Sequence, residues 1–207
     1  MRTLARWLGK DGLDAEPLRA ARWIVVDCES SGLDPDRDRL LSVGAVAVQG
    51  GRIHHTDSFD VVLRQAEASA TDNILVHGIG AQAQLGGRDP AEAMAGLARF
   101  AAGGRPVAFH APFDRALLAR ADPSWKRRWL DLAQLAPALC PALAASRKSL
   151  DAWLEAFAIV HPARHDALAD AYATAQLLLV LLAEADRQGL QAVRDLHAVE
   201  RGRRWLG

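Results

Sequence analysis

Asp27 and Glu29 flank Cys28 at the end of the apolar run Trp23-Ile24-Val25-Val26. Side chains alternate faces along a strand, so the two carboxylates share one face while Cys28 points the other way, toward a core. Carboxylates closing so apolar a strand are costly unless a cation sits beside them, and a divalent metal suits hard oxygen donors. Taken alone, the pair also fits a solvated strand end. His110-Ala111-Pro112-Phe113-Asp114 places a third carboxylate in the first turn of a helix, where exposed N–H groups favour an anion. That placement would equally serve helix initiation, and Phe113 would serve either the core or packing near a nucleotide. His165-Asp166-Ala167-Leu168-Ala169-Asp170 adds a histidine that titrates near neutrality, able to take a proton from water, with an acid just over one turn later. Asp166 competes with Asp170 as a ligand, although its position suits a helix N-cap.

Taken together, Asp27, Glu29, Asp114 and Asp170 form an acidic group with His165 leaning over it. Such a group repels itself without cations. Two divalent ions about 4 Å apart would relieve the repulsion: one lowers the pKa of an attacking water and the other steadies a leaving oxygen. The residues by themselves therefore reach metal-assisted phosphoryl transfer.

The surrounding pattern must bring these residues together. Trp23–Cys28 reads as a buried strand, followed by turn chemistry at Ser30-Ser31-Gly32-Leu33-Asp34-Pro35. Leu40–Val48 and Ile53–Leu63 read as strands joined by the hairpin signal Gln49-Gly50-Gly51-Arg52. Beyond them, helices are expected over Pro90–Ala102, Phe113–Ala121, Leu150–Phe157 and from His165 or Asp166 to about Glu184. Short strands are expected at Pro106–Phe109 and Trp129–Asp131. This order predicts an α/β fold with a mixed sheet covered by helices. Residues 1–21 are expected to add an N-terminal helical extension to a domain spanning 22–184. Residues 185–207 are expected to form a C-terminal helical tail, with one helix from Asp186 to Arg204.

Composition narrows the classes. The 207 residues are 50% hydrophobic and 24% charged, which excludes disorder and suits a folded core. Lys+Arg and Asp+Glu are both 25, so no global positive field draws in a polyanion. Attraction to nucleic acid would have to come from bound metal or from local clusters. The run Lys126-Arg127-Arg128 and the arginines 201, 203 and 204 are candidates, though surface charge is as natural a reading. Trp125 and Trp129 beside the first cluster could stack bases or pack in the core. Cys28 and Cys140 lack metal-type spacing and do not make a disulfide scaffold. The N-terminal residues lack a secretory apolar core, and Leu177–Ala183 is too short to span a bilayer, so no membrane partner and a cytoplasmic location are expected.

The three motifs, in this order, resemble the DEDDh branch of the DnaQ-like 3′–5′ exonucleases, a family that includes the proofreading epsilon subunit of bacterial DNA polymerase III. The likeness covers about Arg22 to Ala183 and extends to His77-Gly78-Ile79 and Ser149-Leu150-Asp151. It implies a ribonuclease-H-like fold with a five-stranded mixed sheet. It further implies 3′–5′ hydrolysis of terminal phosphodiester bonds of single-stranded nucleic acid, DNA first, releasing nucleoside 5′-monophosphates, in DNA repair or replication. Mg²⁺ or Mn²⁺ would be the two divalent ions. Asp27 would bridge them, Glu29 and Asp170 would complete one site, Asp114 would hold the second ion, and His165 would be the general base. Ser30, Ser31, Gly32, Leu33, His77, His110 and Phe113 match substrate-side positions, with Leu33 as an apolar wedge. The expected partner is a DNA or RNA 3′ end, with a DNA polymerase subunit as a further candidate. No clamp-binding peptide is evident. The other readings are an exoribonuclease acting on short or structured RNA and a catalytically silent scaffold subunit. His110 departs from the family, which carries Asn there.

Overall fold

The computed structural model describes residues 15–146, 149–161 and 165–204. Most of the expected N-terminal helix therefore lies outside the described residues. Residues 15–20, which are described, are not helical: they form turns, with Pro17 bridged to Ala192.

Three long strands open the fold: β1 (Trp23–Ser30), β2 (Leu40–Gln49) and β3 (Arg52–Val62). Gly50 and Gly51 both have positive φ, 62° and 72°, as a two-residue hairpin turn between right-twisted strands requires. The short helices α1 (Thr71–His77) and α2 (Ala81–Leu85) follow, then α3 (Pro90–Phe100). Next come β4 (Arg105–Ala108), α4 (Ala111–Ala121), β5 (Leu130–Asp131) and α5 (Leu132–Leu139). The chain finishes with α6 (Leu150–Ala156), α7 (Ala167–Arg187) and α8 (Val193–Arg204). The sheet order is β3-β2-β1-β4-β5. β1 pairs antiparallel with β2 and β2 with β3, whereas β1–β4 and β4–β5 are parallel.

Both faces of the sheet are covered, which is why β1 and β2 are apolar nearly throughout rather than alternating. Trp23 and Val25 face one core, filled by Leu132, Leu135, Trp153, Leu177, Leu178 and Leu181 from the C-terminal helices. Ile24, Val26 and Cys28 face the other, with Met94, Leu97, Leu117 and Leu118. α7 is long and apolar enough by composition alone to cross a membrane, yet half of that window is buried and the helix packs against β1 and β2. It is the core helix of the fold.

One expectation needs correction. The tail is not one helix from Asp186: α7 continues through Arg187, the chain turns at Gly189 (φ 77°), and α8 packs back on α5 and β5. Of the two readings of Trp125 and Trp129, packing in the core is the one observed. Both are buried, their rings lie 5.7 Å apart, and the Trp129 indole N–H donates to the Trp125 carbonyl. Their apolar area keeps them in the core although the adjacent Lys126 and Arg128 are exposed.

Candidate active site

β1 carries Asp27 and Glu29 on the face of Trp23 and Val25, toward α7. Its pairing with β2 shifts register between Glu29 and Ser30, a bulge that ends regular pairing at the carboxylates. Asp27 lies opposite Gly44 on β2. A Cβ on Gly44 would meet the Ala167 carbonyl carbon and the Leu168 nitrogen at 2.2 Å each. The missing side chain thus lets the first turn of α7 rest directly on the sheet beside Asp27.

That turn is organised by Asp166, the N-cap of α7, whose carboxylate accepts the Ala169 N–H at 2.8 Å. With Asp166 exposed and engaged as a cap, Asp170 is the acid that faces inward, only 5% exposed. Glu29, His165 and Asp170 offer ligand atoms that all lie within 4.8 Å of one another. His165 holds a left-handed backbone, φ 61°, which is uncommon for a non-glycine residue and concentrates at functional sites. Its backbone N–H donates to Asp170 Oδ2 at 3.0 Å.

The other Asp170 oxygen contacts a residue that sequence reasoning missed. His161 Nε2 lies 2.5 Å from Asp170 Oδ1, and both side chains are 6% exposed. Asp170 is thereby held from both oxygens. The only sequence signal was a second histidine four residues before His165, outside any regular element. Outer partners of metal-holding carboxylates commonly set metal affinity. His161→Ala should weaken Mn²⁺ affinity about 10- to 100-fold, as read by calorimetric titration; unchanged affinity would make the contact incidental.

Asp114 reaches β1 from the opposite side. The β1–β4 ladder ends at Val25↔Val107, so the end of β1 extends past β4 and α4 begins in the gap. There Asp114 is 4% exposed and accepts from the Cys28 amide and thiol. Burial raises its pKa to about 8, against the lowering effect of those hydrogen bonds. Burial likewise pushes the Cys28 thiol up, with Asp114 adding to the shift. A carboxyl so placed stays protonated at neutral pH unless a cation joins it. The folded state then holds a proton that the unfolded state releases above about 4. Stability of the metal-free chain should accordingly fall as pH rises from there through about 8. Asp114→Asn should flatten that slope in thermal unfolding with chelator present; an unaltered slope would place the buried proton elsewhere.

His110 N-caps α4 with φ 63° and ψ 45°. Asn and His are both enriched in this left-handed region, so the backbone accounts for the exchange of one for the other. The ring is exposed and meets Phe109 edge-on at 4.8 Å. Phe113 is partly buried against the core on the α4 side.

The remaining substrate-side candidates divide. Ser30 donates to the Gly32 carbonyl at 2.6 Å, and Ser31 donates to Asp38 while accepting the Arg39 N–H. A Cβ on Gly32 would sit 2.4 Å from the Asp38 carboxylate, which would have to turn away. These residues shape the loop after β1, and Asn73 of α1 ties down the Ser31 carbonyl. Leu33 at the loop tip is 92% exposed, as an apolar wedge would have to be. His77 is buried; its Nδ1 accepts the Ile79 N–H and its Nε2 lies 3.2 Å from Ser69 Oγ, so it braces the α1–α2 connection.

Residues 24–178 match the family model described as Exonuclease, RNase_T. Over 189 residues the chain is 31% identical to a DNA polymerase III subunit epsilon-like protein of Rhodobacter capsulatus, covering 88% of this chain and 27% of that one. Over 185 residues it is 26% identical to the PolC-type DNA polymerase III of Thermotoga maritima, covering 87% of this chain and 13% of the relative. It therefore spans well under half of either relative's length. Among solved structures, E. coli exonuclease I in complex with a dT13 oligonucleotide superposes with a TM-score of 0.69 at 20% identity, over 81% of this chain and 42% of the other. Cell-death related nuclease 4 (CRN-4) gives 0.68 at 12% identity, over 80% and 64%. At such identities the likeness establishes the fold, the ribonuclease-H-like mixed sheet that the motifs had implied.

Proposed function

Because the chain belongs to the RNase_T exonuclease family, as a DnaQ-like member of the 3′–5′ type, we propose that it shortens single-stranded nucleic acid, DNA by preference, from the 3′ end and releases nucleoside 5′-monophosphates. The observation that carries this reading is the convergence of Glu29, His165 and Asp170 beside Asp27, on a β1 end also met by Asp114. A catalytically silent scaffold would have no need to keep Asp114 desolvated or Asp170 gripped from both oxygens.

Exonucleases of this kind use divalent metal, and the donor set fits it: hard carboxylate oxygens with one imidazole, and a buried carboxyl that stays neutral without a cation. Asp27, Glu29, Asp114 and Asp170 would hold two ions, Mg²⁺ or Mn²⁺. When bound, these supply an acidified water and charge stabilisation at the leaving oxygen. The chain's own residues do the rest. His161 and the His165 amide fix the Asp170 carboxylate. The exposed His165 imidazole takes the proton of the attacking water. Leu33 presses on the terminal nucleotide and separates it from its neighbour. The oligonucleotide in the exonuclease I complex supports a single-stranded substrate here.

The test is a strand labelled at its 5′ end, incubated with Mg²⁺ or Mn²⁺ and with a chelator control, in matched DNA and RNA and in single and duplex form. A ladder shortening by single nucleotides on single-stranded DNA is the expected result. Immediate appearance of labelled mononucleotide would reverse the polarity, and faster loss of RNA would change the substrate.

A further inference from the structure

We propose that a basic concavity at the β5 end of the sheet binds the phosphodiester backbone of the substrate strand several nucleotides upstream of the cleaved bond. This rests on the nuclease reading above. The concavity, about 430 Å³, has Arg115, Lys126, Arg128 and Arg201 at its rim and Asp131 and Glu200 in its floor. Lys126 and Arg128 of one basic cluster and Arg201 of the other, far apart along the chain, thus line one place. α8 packs against α5 and β5 and so carries Arg201 to the Lys126–Arg128 turn.

Four cations at the rim outnumber the two acids of the floor. Asp131 Oδ1 accepts the N–H groups of His110, Ala111 and Ala133 and so anchors the starts of α4 and α5. Glu200 is buried and faces His197 at 3.1 Å. Lys126, Arg115, Arg128 and Arg201 are exposed. Arg115 also grips the Lys126 carbonyl at 2.7 Å, which fixes the turn that presents the cluster. In a chain of zero net charge, such a local excess of cations is what can hold a polyanion.

Its place in the fold gives the register. β1, β4 and β5 are parallel, so their C-terminal ends share one edge of the sheet. Asp27 and Glu29 lie at that end of β1, and Asp131 lies at that end of β5. Open α/β sheets bind ligands along this edge. At about 4.8 Å per strand, β5 is about 10 Å from β1, or about three stacked nucleotides at 3.4 Å each. α4 links the two places, with Asp114 turned to β1 and Arg115 to the concavity. A strand whose 3′ end lies at the acids can run across the start of α4 and set its upstream phosphates among the cations.

The experiment compares the wild type with the Lys126→Glu/Arg201→Glu double variant on 5′-fluorescein dT3 and dT15, by anisotropy and by turnover with Mg²⁺. For dT15 the variant should bind at least about 10-fold more weakly, with a salt slope smaller by about two. Binding and kcat on dT3 should not change. A Lys126→Gln/Arg201→Gln variant should give the same pattern at smaller amplitude, which separates lost attraction from misfolding. Unchanged dT15 affinity and salt slope in both variants overturn the proposal, as does an equal loss on dT3. Equally tight, variant-sensitive binding of a polyglutamate peptide would overturn it in favour of an acidic protein partner. If the wild type degrades neither oligonucleotide yet binds dT15 in a variant-sensitive way, the nuclease reading fails while the binding surface stands.

Discussion

Asp170→Asn is expected to lower the rate of strand shortening by about 10³-fold or more. The change is nearly isosteric, so the loss follows from chemistry. Asp170 is buried and receives donors at both oxygens, His161 on one and the His165 amide on the other. An amide offers one acceptor and one donor, so its NH₂ group must confront the His165 amide or force His161 to present an unprotonated Nε2. It also removes a negative charge from the group that would hold a cation. Metal stabilisation is worth several kcal/mol, and about 4 kcal/mol corresponds to the stated loss. Asp166→Asn is the matched control. Asp166 acts as an exposed N-cap, a role Asn fills as well as Asp, so activity and melting temperature should stay close to wild type. If Asp166→Asn loses activity while Asp170→Asn keeps it, the two assignments must be exchanged.

The second large effect is expected at Gly44, a residue with no reactive group. Gly44→Val should destabilise the chain by about 3 kcal/mol and should abolish activity in whatever fraction folds. The neighbours of the added Cβ are the backbone atoms of Ala167 and Leu168, not the end of a flexible side chain. Relief therefore requires the start of α7 to move away from β2. Asp170 and His165 would move with it, away from Glu29. Urea denaturation would read the stability and turnover per folded molecule would read the site. Gly80→Ala, where an added Cβ meets nothing within 4 Å, should be close to neutral. A stable, active Gly44→Val would show that α7 does not need this approach.

The candidate motifs were legible because their chemistry is local. Asp27 and Glu29 end an apolar strand, Asp114 follows the start of a helix, and Asp166 stands where an N-cap must stand. β1, β2 and β3 were readable from apolar runs and from a two-glycine turn. Less was readable where elements are short or held from outside. α1 and α2 are brief and are stabilised by the Ser69–His77–Gln84 hydrogen bonds, while α5 contains Pro137. The bonds of α1 and α2 are between side chains rather than along a periodic face, and α5 packs on the distant α8, so no local periodicity announces them.

The sequence by itself determined which acids could act, that Asp27 and Glu29 share a face, and that a covered mixed sheet would carry them. Those features follow from strand alternation, from hydrophobic runs and from the cost of burying charge. Only the tertiary structure decided the rest. It turned Asp170 inward, because α7 lies against Gly44. It brought His161 onto Asp170 from an irregular segment. It buried Asp114 beside Cys28, because β1 outruns β4 and leaves a gap that α4 fills. It also gathered Lys126, Arg128 and Arg201 around one concavity, because α8 folds back onto β5. Each of these depends on distances between segments far apart in the chain, set by packing against the sheet.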